Sequence, residues 1–186
     1  MSVQNETYSV EVAGVKRDLR LLAIQPGVRI AIVNILGDTE WVQAVSKELA
    51  EKLRPYNLDI LVTPEAKSIP LAYGIAVELG LPYVVLRKSL KPYMGDALRS
   101  ETLSITTGQP QTLYLDENDR ALIAGKRVAL IDDGISTGST LQGMRLIMDK
   151  ADAKVVVEAA IFTEGDRAKW SNIVALGHLP VFIDRD

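Results

Sequence analysis

The sequence predicts an α/β domain with a mostly parallel sheet and helices on both faces. Three observations carry that expectation. Short β-branched runs alternate with helices of ~10–15 residues, the pattern that builds parallel sheets. The 186 residues suit one domain, and 47% of them are hydrophobic, enough for a sizeable core. No Pro/Gly/Ser-rich linker or internal repeat divides the chain.

The elements follow in order. Tyr8, Val10 and Val12 alternate with Ser9 and Glu11, a short strand ending at Gly14. Val28 to Val33 is an apolar run after Pro26-Gly27, a second strand. Trp41, Val45, Leu49 and Leu53 recur every four residues, with Asp38 or Thr39 placed to cap. That amphipathic helix stops near Pro55. Asp59–Thr63 is a buried strand, Ile69–Leu79 a helix stopped by Gly80, and Tyr83–Leu86 a strand. Val128–Ile131 is a strand, Leu141–Lys150 a helix and Val155–Ile161 a β-branched strand. Asp116, Glu117, Asp119 and Arg120 read as a charged, solvated link.

One segment breaks the rhythm. Residues 87–108 carry Arg87, Lys88, Lys91 and Arg99, with Pro92 and Gly95, and show no clear period. Connections this long are uncommon inside a domain, and this one lies at the ligand-binding edge of the expected sheet. A mobile catalytic loop is the expectation.

Composition excludes several classes. Cysteine is absent, so neither disulfides nor thiolate metal sites exist. A net charge of -3 argues against a general nucleic-acid binder. No apolar run approaches the ~18 residues that span a bilayer, and Met1–Thr7 lacks the apolar stretch of a signal peptide. A cytoplasmic protein without membrane or nucleic-acid partners is expected.

The chemistry is concentrated in Val128–Thr140. Four apolar residues form a strand, Asp132 and Asp133 stand at its carboxyl end, and Gly134-Ile135-Ser136-Thr137-Gly138-Ser139-Thr140 opens a helix. A helix N-terminus offers free N–H groups and partial positive charge to phosphate. Gly134 and Gly138 allow close backbone approach. Two aspartates facing the same ligand would repel a bare phosphate, so they suit hydroxyl groups or a hydrated cation beside it. A ribose 5-phosphate has that shape. A Walker A loop is excluded, because Gly138 is followed by Ser139 without the lysine. His178, the one histidine, reads as a surface or satisfied loop residue, and Trp41 and Trp170 as packing residues.

This segment resembles the motif of type I phosphoribosyltransferases that binds 5-phosphoribosyl 1-pyrophosphate (PRPP). The likeness implies that family's fold, with a small hood built from the termini, residues 1–25 contributing the N-terminal part. It implies that Asp132 and Asp133 bind the ribose hydroxyls, and that Gly134 to Thr140 hold the 5-phosphate. Thr63-Pro64-Glu65-Ala66-Lys67-Ser68 is similar to the pyrophosphate loop of adenine phosphoribosyltransferases and of the related purine-repressor domain. Arg87-Lys88-Ser89-Leu90-Lys91 is similar to the start of the adenine family's catalytic loop. The likeness runs unevenly from Pro26 to Phe182, weakly at Leu176–Phe182. Pyrophosphate binding by Glu65, Ala66, Lys67, Ser68, Arg87, Lys88 and Lys91 is implied, with Arg87 and Lys91 also catalytic beside the acid pair. Mg²⁺ would be held through substrate and water near Asp132 and Asp133, with no direct protein ligand. A homodimer is implied as well.

Two departures argue against adenine as acceptor. The aromatic-Arg-Asp segment after Pro26-Gly27 is replaced by Ile30-Ala31-Ile32, and the loop glutamate by Thr106. The expected function is 5-phosphoribosyl transfer from PRPP to a nitrogen of a purine-like base. The alternative is a non-catalytic PRPP-sensing regulator. The stretch of 25 residues before Pro26 is too short for a helix-turn-helix unit with its own core.

Overall fold

The computed structural model describes residues 6–103 and 110–184. The chain opens with a hairpin of β1 (Thr7–Val12) and β2 (Val15–Gln25), turned at Ala13-Gly14, followed by β3 (Val28–Ile32). Helix α1 (Thr39–Leu53) begins at Asp38, whose carboxylate accepts from the Trp41 N–H. Its predicted stripe of Trp41, Val45, Leu49 and Leu53 is buried throughout. Then come β4 (Ile60–Pro64), α2 (Ile69–Leu79), β5 (Tyr83–Leu86), β6 (Leu98–Leu103), β7 (Pro110–Leu115) and α3 (Glu117–Ile123). The chain continues through β8 (Arg127–Ile135), α4 (Ser139–Lys150), β9 (Lys154–Glu164), β10 (Val174–Leu179) and β11 (Phe182–Ile183).

Among the described residues the strands form three sheets. The central one is five-stranded, ordered β10-β9-β8-β4-β5, with every pairing parallel. The second is antiparallel, ordered β1-β2-β3-β11, and joins the amino-terminal strands to the carboxyl-terminal one. Arg17 of β2 fastens this sheet to the start of α1 through Asp38, 2.6 Å away. The third is the β6–β7 hairpin.

Alternation along the parallel strands builds two cores. Leu61, Ala129 and Ile131 face α1 and α2, together with Val45, Leu49, Leu71 and Ile75. Ile60, Val62, Val128 and Leu130 face α4 and the hairpin, with Met144, Ile147, Leu113 and Ile123. Helices therefore cover both faces, as expected. None of those described is long and apolar enough to cross a membrane.

The structure departs from the sequence expectations at several points. The segment 87–108 is not aperiodic where it is described: it contains β6, paired with β7 from Leu98↔Leu115 to Leu103↔Pro110, and its last five residues lie outside the described ones. This strand turns Ser100 and Thr102 inward and Arg99 and Glu101 outward. Its buried face is polar, so no apolar alternation marks it. The hairpin rests on α4, where the Ser100 hydroxyl donates to the Gly143 carbonyl at 2.8 Å. Asp116 does not open a solvated link. It caps α3, whose single buried residue, Ile123, gives no stripe to detect. β8 continues past Ile131 through Asp132, Asp133 and Gly134, so the acids lie within the strand rather than after it. His178 lies in β10, not in a loop.

Candidate functional site

From β4 the chain passes through α2 to β5 on one side. It then returns to β8 on the other side of β4 and continues outward to β9 and β10. The loops leaving β4 and β8 therefore diverge, and a crevice opens at their carboxyl ends, the usual ligand position in such sheets. The loop Glu65–Ser68 and the segment Asp132–Thr140 meet there. The Thr63 hydroxyl ties them by donating to the Ile131 carbonyl at 2.9 Å. Ser68 anchors the first loop by donating to the Pro64 carbonyl at 2.9 Å. The Glu65–Ala66 peptide bond is cis.

Strand alternation separates the two aspartates. Asp132 lines a small cavity of about 40 Å³ together with Gly134, Ile135, Ser136, Thr137, Gly138 and the start of α4. Asp133 faces another of about 160 Å³, between Lys67, Ser136, Phe162 and β3. Both acids are buried. Burial raises the Asp132 carboxyl well above its ordinary value, and the neighbouring Asp133 charge adds to the rise. Asp132 also accepts the Asp133 N–H at 2.9 Å. Asp133 lies 3.3 Å from the Lys67 ammonium.

The turn into α4 is built to leave donors free. Gly138, with φ of 81°, is the cap residue, and no side chain caps the helix. The Ser139 amide donates to the Thr137 hydroxyl at 3.4 Å, while those of Thr140 and Leu141 have no partner within the helix in this geometry. The hydroxyls of Thr137 and Ser139 lie 3.1 Å apart, and Gln111 of β7 reaches Thr140 at 3.3 Å. A Cβ on Gly138 would come within 2.7 Å of the Trp170 ring.

The cations converge from the other side. Lys67 donates to the Val33 carbonyl at 3.0 Å, joining the antiparallel sheet to the crevice. Arg87 Nε donates to Glu65 at 2.7 Å, and the guanidinium also reaches the Tyr93 hydroxyl at 3.0 Å. The Lys88 backbone N–H donates to the other Glu65 oxygen. Burial alone would raise the Glu65 carboxyl. The Lys88 N–H, the Arg87 guanidinium and the Lys91 charge outweigh it and hold the group below its ordinary value. The positive charge of Lys88 also acts on Asp132, which brings the two loops into one electrostatic unit. Ala66 and Ser68 complete the turn through backbone bonds to Ile69 and Ala72. The loop Glu65–Ser68, Arg87, Lys88 and the segment Asp132–Thr140 thus meet around this crevice, and the Lys91 charge acts on Glu65. Thr106 falls outside the described residues.

Some residues at the site escaped the sequence reading. Lys169 donates to the Thr137 carbonyl at 3.2 Å from 32 residues away, a contact no local pattern announces. Glu164 lines the larger cavity. A strand read as ending at Ile161 hid it; traced to its end, the strand-end rule marks it. His178 is fully engaged. Its Nε2 faces the Gly165 carbonyl at 3.0 Å and its Nδ1 the Thr163 hydroxyl at 2.9 Å. A carbonyl only accepts, so Nε2 carries the hydrogen, and in the neutral ring Nδ1 accepts from the Thr163 hydroxyl.

Among the described residues there is no cluster of three or more acidic, His or Cys groups able to cage a metal. The carboxylate oxygens of Asp132 and Asp133 suit a hydrated Mg²⁺, a hard cation that takes oxygen ligands and keeps several waters.

Residues 34–176 match the model of the phosphoribosyl transferase domain. The chain is 32% identical over 132 residues to the purine biosynthesis transcriptional repressor PurR of Bacillus subtilis, covering 71% of this chain and 46% of the repressor. It is 34% identical over 110 residues to the hypoxanthine/guanine phosphoribosyltransferase of Methanococcus voltae, covering 59% of this chain and 55% of that enzyme. The chain therefore spans about half the length of these curated relatives. The crystal structure of adenine phosphoribosyltransferase from Thermoanaerobacter pseudethanolicus superposes with a TM-score of 0.70 at 21% identity. That match covers 86% of this chain and 95% of the other.

Proposed function

This chain belongs to the phosphoribosyl transferase domain family, and on that premise we propose that it transfers the 5-phosphoribosyl group of PRPP to a ring nitrogen of a purine-like base. The observation that carries the reading is the meeting, at one crevice, of an acid pair, an uncapped helix N-terminus and a cation-bearing loop. Asp132 and Asp133 accept the ribose hydroxyls, while the amides and hydroxyls from Gly134 to Thr140 take the 5-phosphate. Lys67, Arg87, Lys88 and Lys91, with the backbone of Ala66 and Ser68, receive the pyrophosphate. Glu65 holds Arg87 and Lys88 in position; as a carboxylate it is itself no anion ligand.

The base nitrogen forms a bond to ribose C1 as the C1–oxygen bond to pyrophosphate breaks. The electron pair leaves with pyrophosphate, and the nitrogen's proton passes to water. Positioning and charge stabilisation supply the catalysis, without a covalent nucleophile. Bound Mg²⁺ would neutralise pyrophosphate charge, with Asp132 and Asp133 oriented toward its waters.

The test is pyrophosphate release from PRPP and Mg²⁺ with adenine, guanine, hypoxanthine, xanthine or orotate as acceptor. Turnover of a purine confirms the reading. Adenine is expected to be a poor acceptor, since Ile30-Ala31-Ile32 offers it no polar side chain. A second reading, a PRPP-binding regulator without turnover, is supported by the likeness to the repressor. It predicts PRPP binding with no release for any base. A melting curve unmoved by PRPP and Mg²⁺ would refute both.

A further inference from the structure

The cavity on the Asp133 side has a composition that the binding of PRPP does not use up. Its walls include Ile30, Ile32, Ile135, Phe162 and Leu179, and its volume is about 160 Å³. Cavities for drug-sized ligands run to ~300–1,000 Å³, so this one suits a single heterocycle. Asp133 and Ser136 form the part of its wall nearest the proposed ribose position. Lys67 bonds the Val33 carbonyl and pairs with Asp133, and the transferase reading gives it to pyrophosphate. That leaves one ionisable group in the wall without a partner among the described residues.

Glu164 is that group. It is the last residue of β9, half-buried, and lines the cavity two residues beyond Phe162. Its backbone carbonyl is fixed by the Trp170 indole N–H at 2.9 Å. Its carboxylate has no hydrogen-bond or charge partner among the described residues, burial being the sole influence on its titration. Burial without a partner pushes its proton affinity above the ordinary glutamate value. A carboxylate in such a place gains most from a ligand bringing two N–H donors to its two oxygens. Across the cavity, β3 has no strand partner on its β11 side beyond Arg29 among the described residues. Its backbone edge can serve the opposite, carbonyl-bearing edge of a planar ligand.

Resting on the transferase reading, we propose that Glu164 determines acceptor specificity by binding a heterocycle with adjacent ring N–H and exocyclic amino donors. Guanine presents that pair. Hypoxanthine has the ring N–H without the amino group, and adenine has the amino group beside a ring acceptor. Glu164 touches the acceptor and takes no part in the bond exchange at C1.

The experiment compares the parent with Glu164→Gln and Glu164→Ala. Steady-state kinetics give kcat/KM for guanine and hypoxanthine, and calorimetry gives PRPP affinity with Mg²⁺. The parent is expected to favour guanine over hypoxanthine by about 10- to 100-fold, the range of one charge-assisted bond. Glu164→Gln, which offers one acceptor and one donor, is expected to lower that ratio about tenfold or more, leaving PRPP affinity within about twofold. Glu164→Ala should lower it as well. An unchanged ratio in Glu164→Gln, with PRPP affinity intact, would overturn the assignment. Should no base release pyrophosphate, the transferase reading falls separately. The same ratio is then read as dissociation constants for guanine and hypoxanthine by equilibrium dialysis with PRPP and Mg²⁺. A ratio that does not respond to the substitution there also overturns it.

Discussion

At the scale of single residues, Asp132 sets a conflict between stability and binding. Burial, then the Asp133 charge, raises its carboxyl well above the ordinary aspartate range. The folded chain binds that proton more tightly than the unfolded chain. The stability this contributes is complete below the ordinary aspartate pKa and is lost as pH rises through the raised value. Asp132→Asn keeps the shape without the charge. It is expected to remove that loss, so its melting temperature at neutral pH should exceed the parent's. PRPP binding should weaken by ~1.5–3 kcal/mol, the size of a charge-assisted hydrogen bond. Melting curves from mildly acid to neutral pH, with a PRPP titration, check both; a variant that keeps the parent's pH slope would remove Asp132 as its source. Gly138 is the second such position. Its φ of 81°, and the Trp170 ring 2.7 Å from where a Cβ would stand, leave no room for a side chain. Gly138→Ala should destabilise by ~1–3 kcal/mol, the cost of a strained backbone conformation, and should weaken PRPP binding. Urea denaturation with parental stability would show that the turn relaxes freely. The acid pair and the glycines were legible in the sequence because chemistry packs them into nine consecutive residues, Asp132 to Thr140. Lys169 was not, since only folding brings it to that segment; Glu164 is marked only when β9 is traced past Ile161 to its end.

At the scale of elements, legibility followed the apolar period. The stripe of α1 and the stop at Gly80 after α2 were readable, because one face of each is buried and apolar. β6 was not: Ser100 and Thr102 are its inward residues, while Leu103 is 69% exposed, so its pattern is inverted. α3 buries too little to show a stripe. β10 reads as a loop because it includes Gly177, where a Cβ would lie 2.6 Å from the Phe162 ring. The catalytic-loop expectation now narrows to the connection between Arg87 and β6. There Met94 is fully buried, while Leu90 and Tyr93 are 57% and 66% exposed. Few buried contacts and no ladder hold that stretch, which favours local opening. Chymotrypsin is expected to cut at Leu90 or Tyr93, and Mg²⁺ with PRPP to slow that cut through the bonds proposed for Arg87, Lys88 and Lys91. A cutting rate that ligand leaves unchanged would separate this stretch from the site.

At the scale of the whole molecule, the crevice depends on the order of strands more than on any one of them. β4 and β8 are neighbours whose chains leave in opposite directions, so two loops far apart in sequence share one space. Parallel order follows from the alternation of elements, but the position of the reversal does not, which is why the resemblance, rather than periodicity, singled out Glu65–Ser68 as the loop proposed for pyrophosphate. The same resemblance implies a homodimer, and sedimentation velocity is expected to give twice the chain mass at micromolar concentration; a monomer across that range would remove the implication. The contact between Trp170 and Gly138 has an optical consequence. The chain has two tryptophans. Trp41 is 1% exposed inside the core, whereas Trp170 lies against the phosphate turn with the Lys169 ammonium 4.6 Å from its ring. An indole emission responds to charge and motion at that distance, and a phosphate arriving at the turn changes both. Titration with PRPP and Mg²⁺ should therefore shift the intrinsic emission, with Trp170→Phe silencing the response and Trp41→Phe preserving it. The reverse result would mean that the signal arises in the core, whereas the expected one makes the protein a dye-free reporter of its own occupancy.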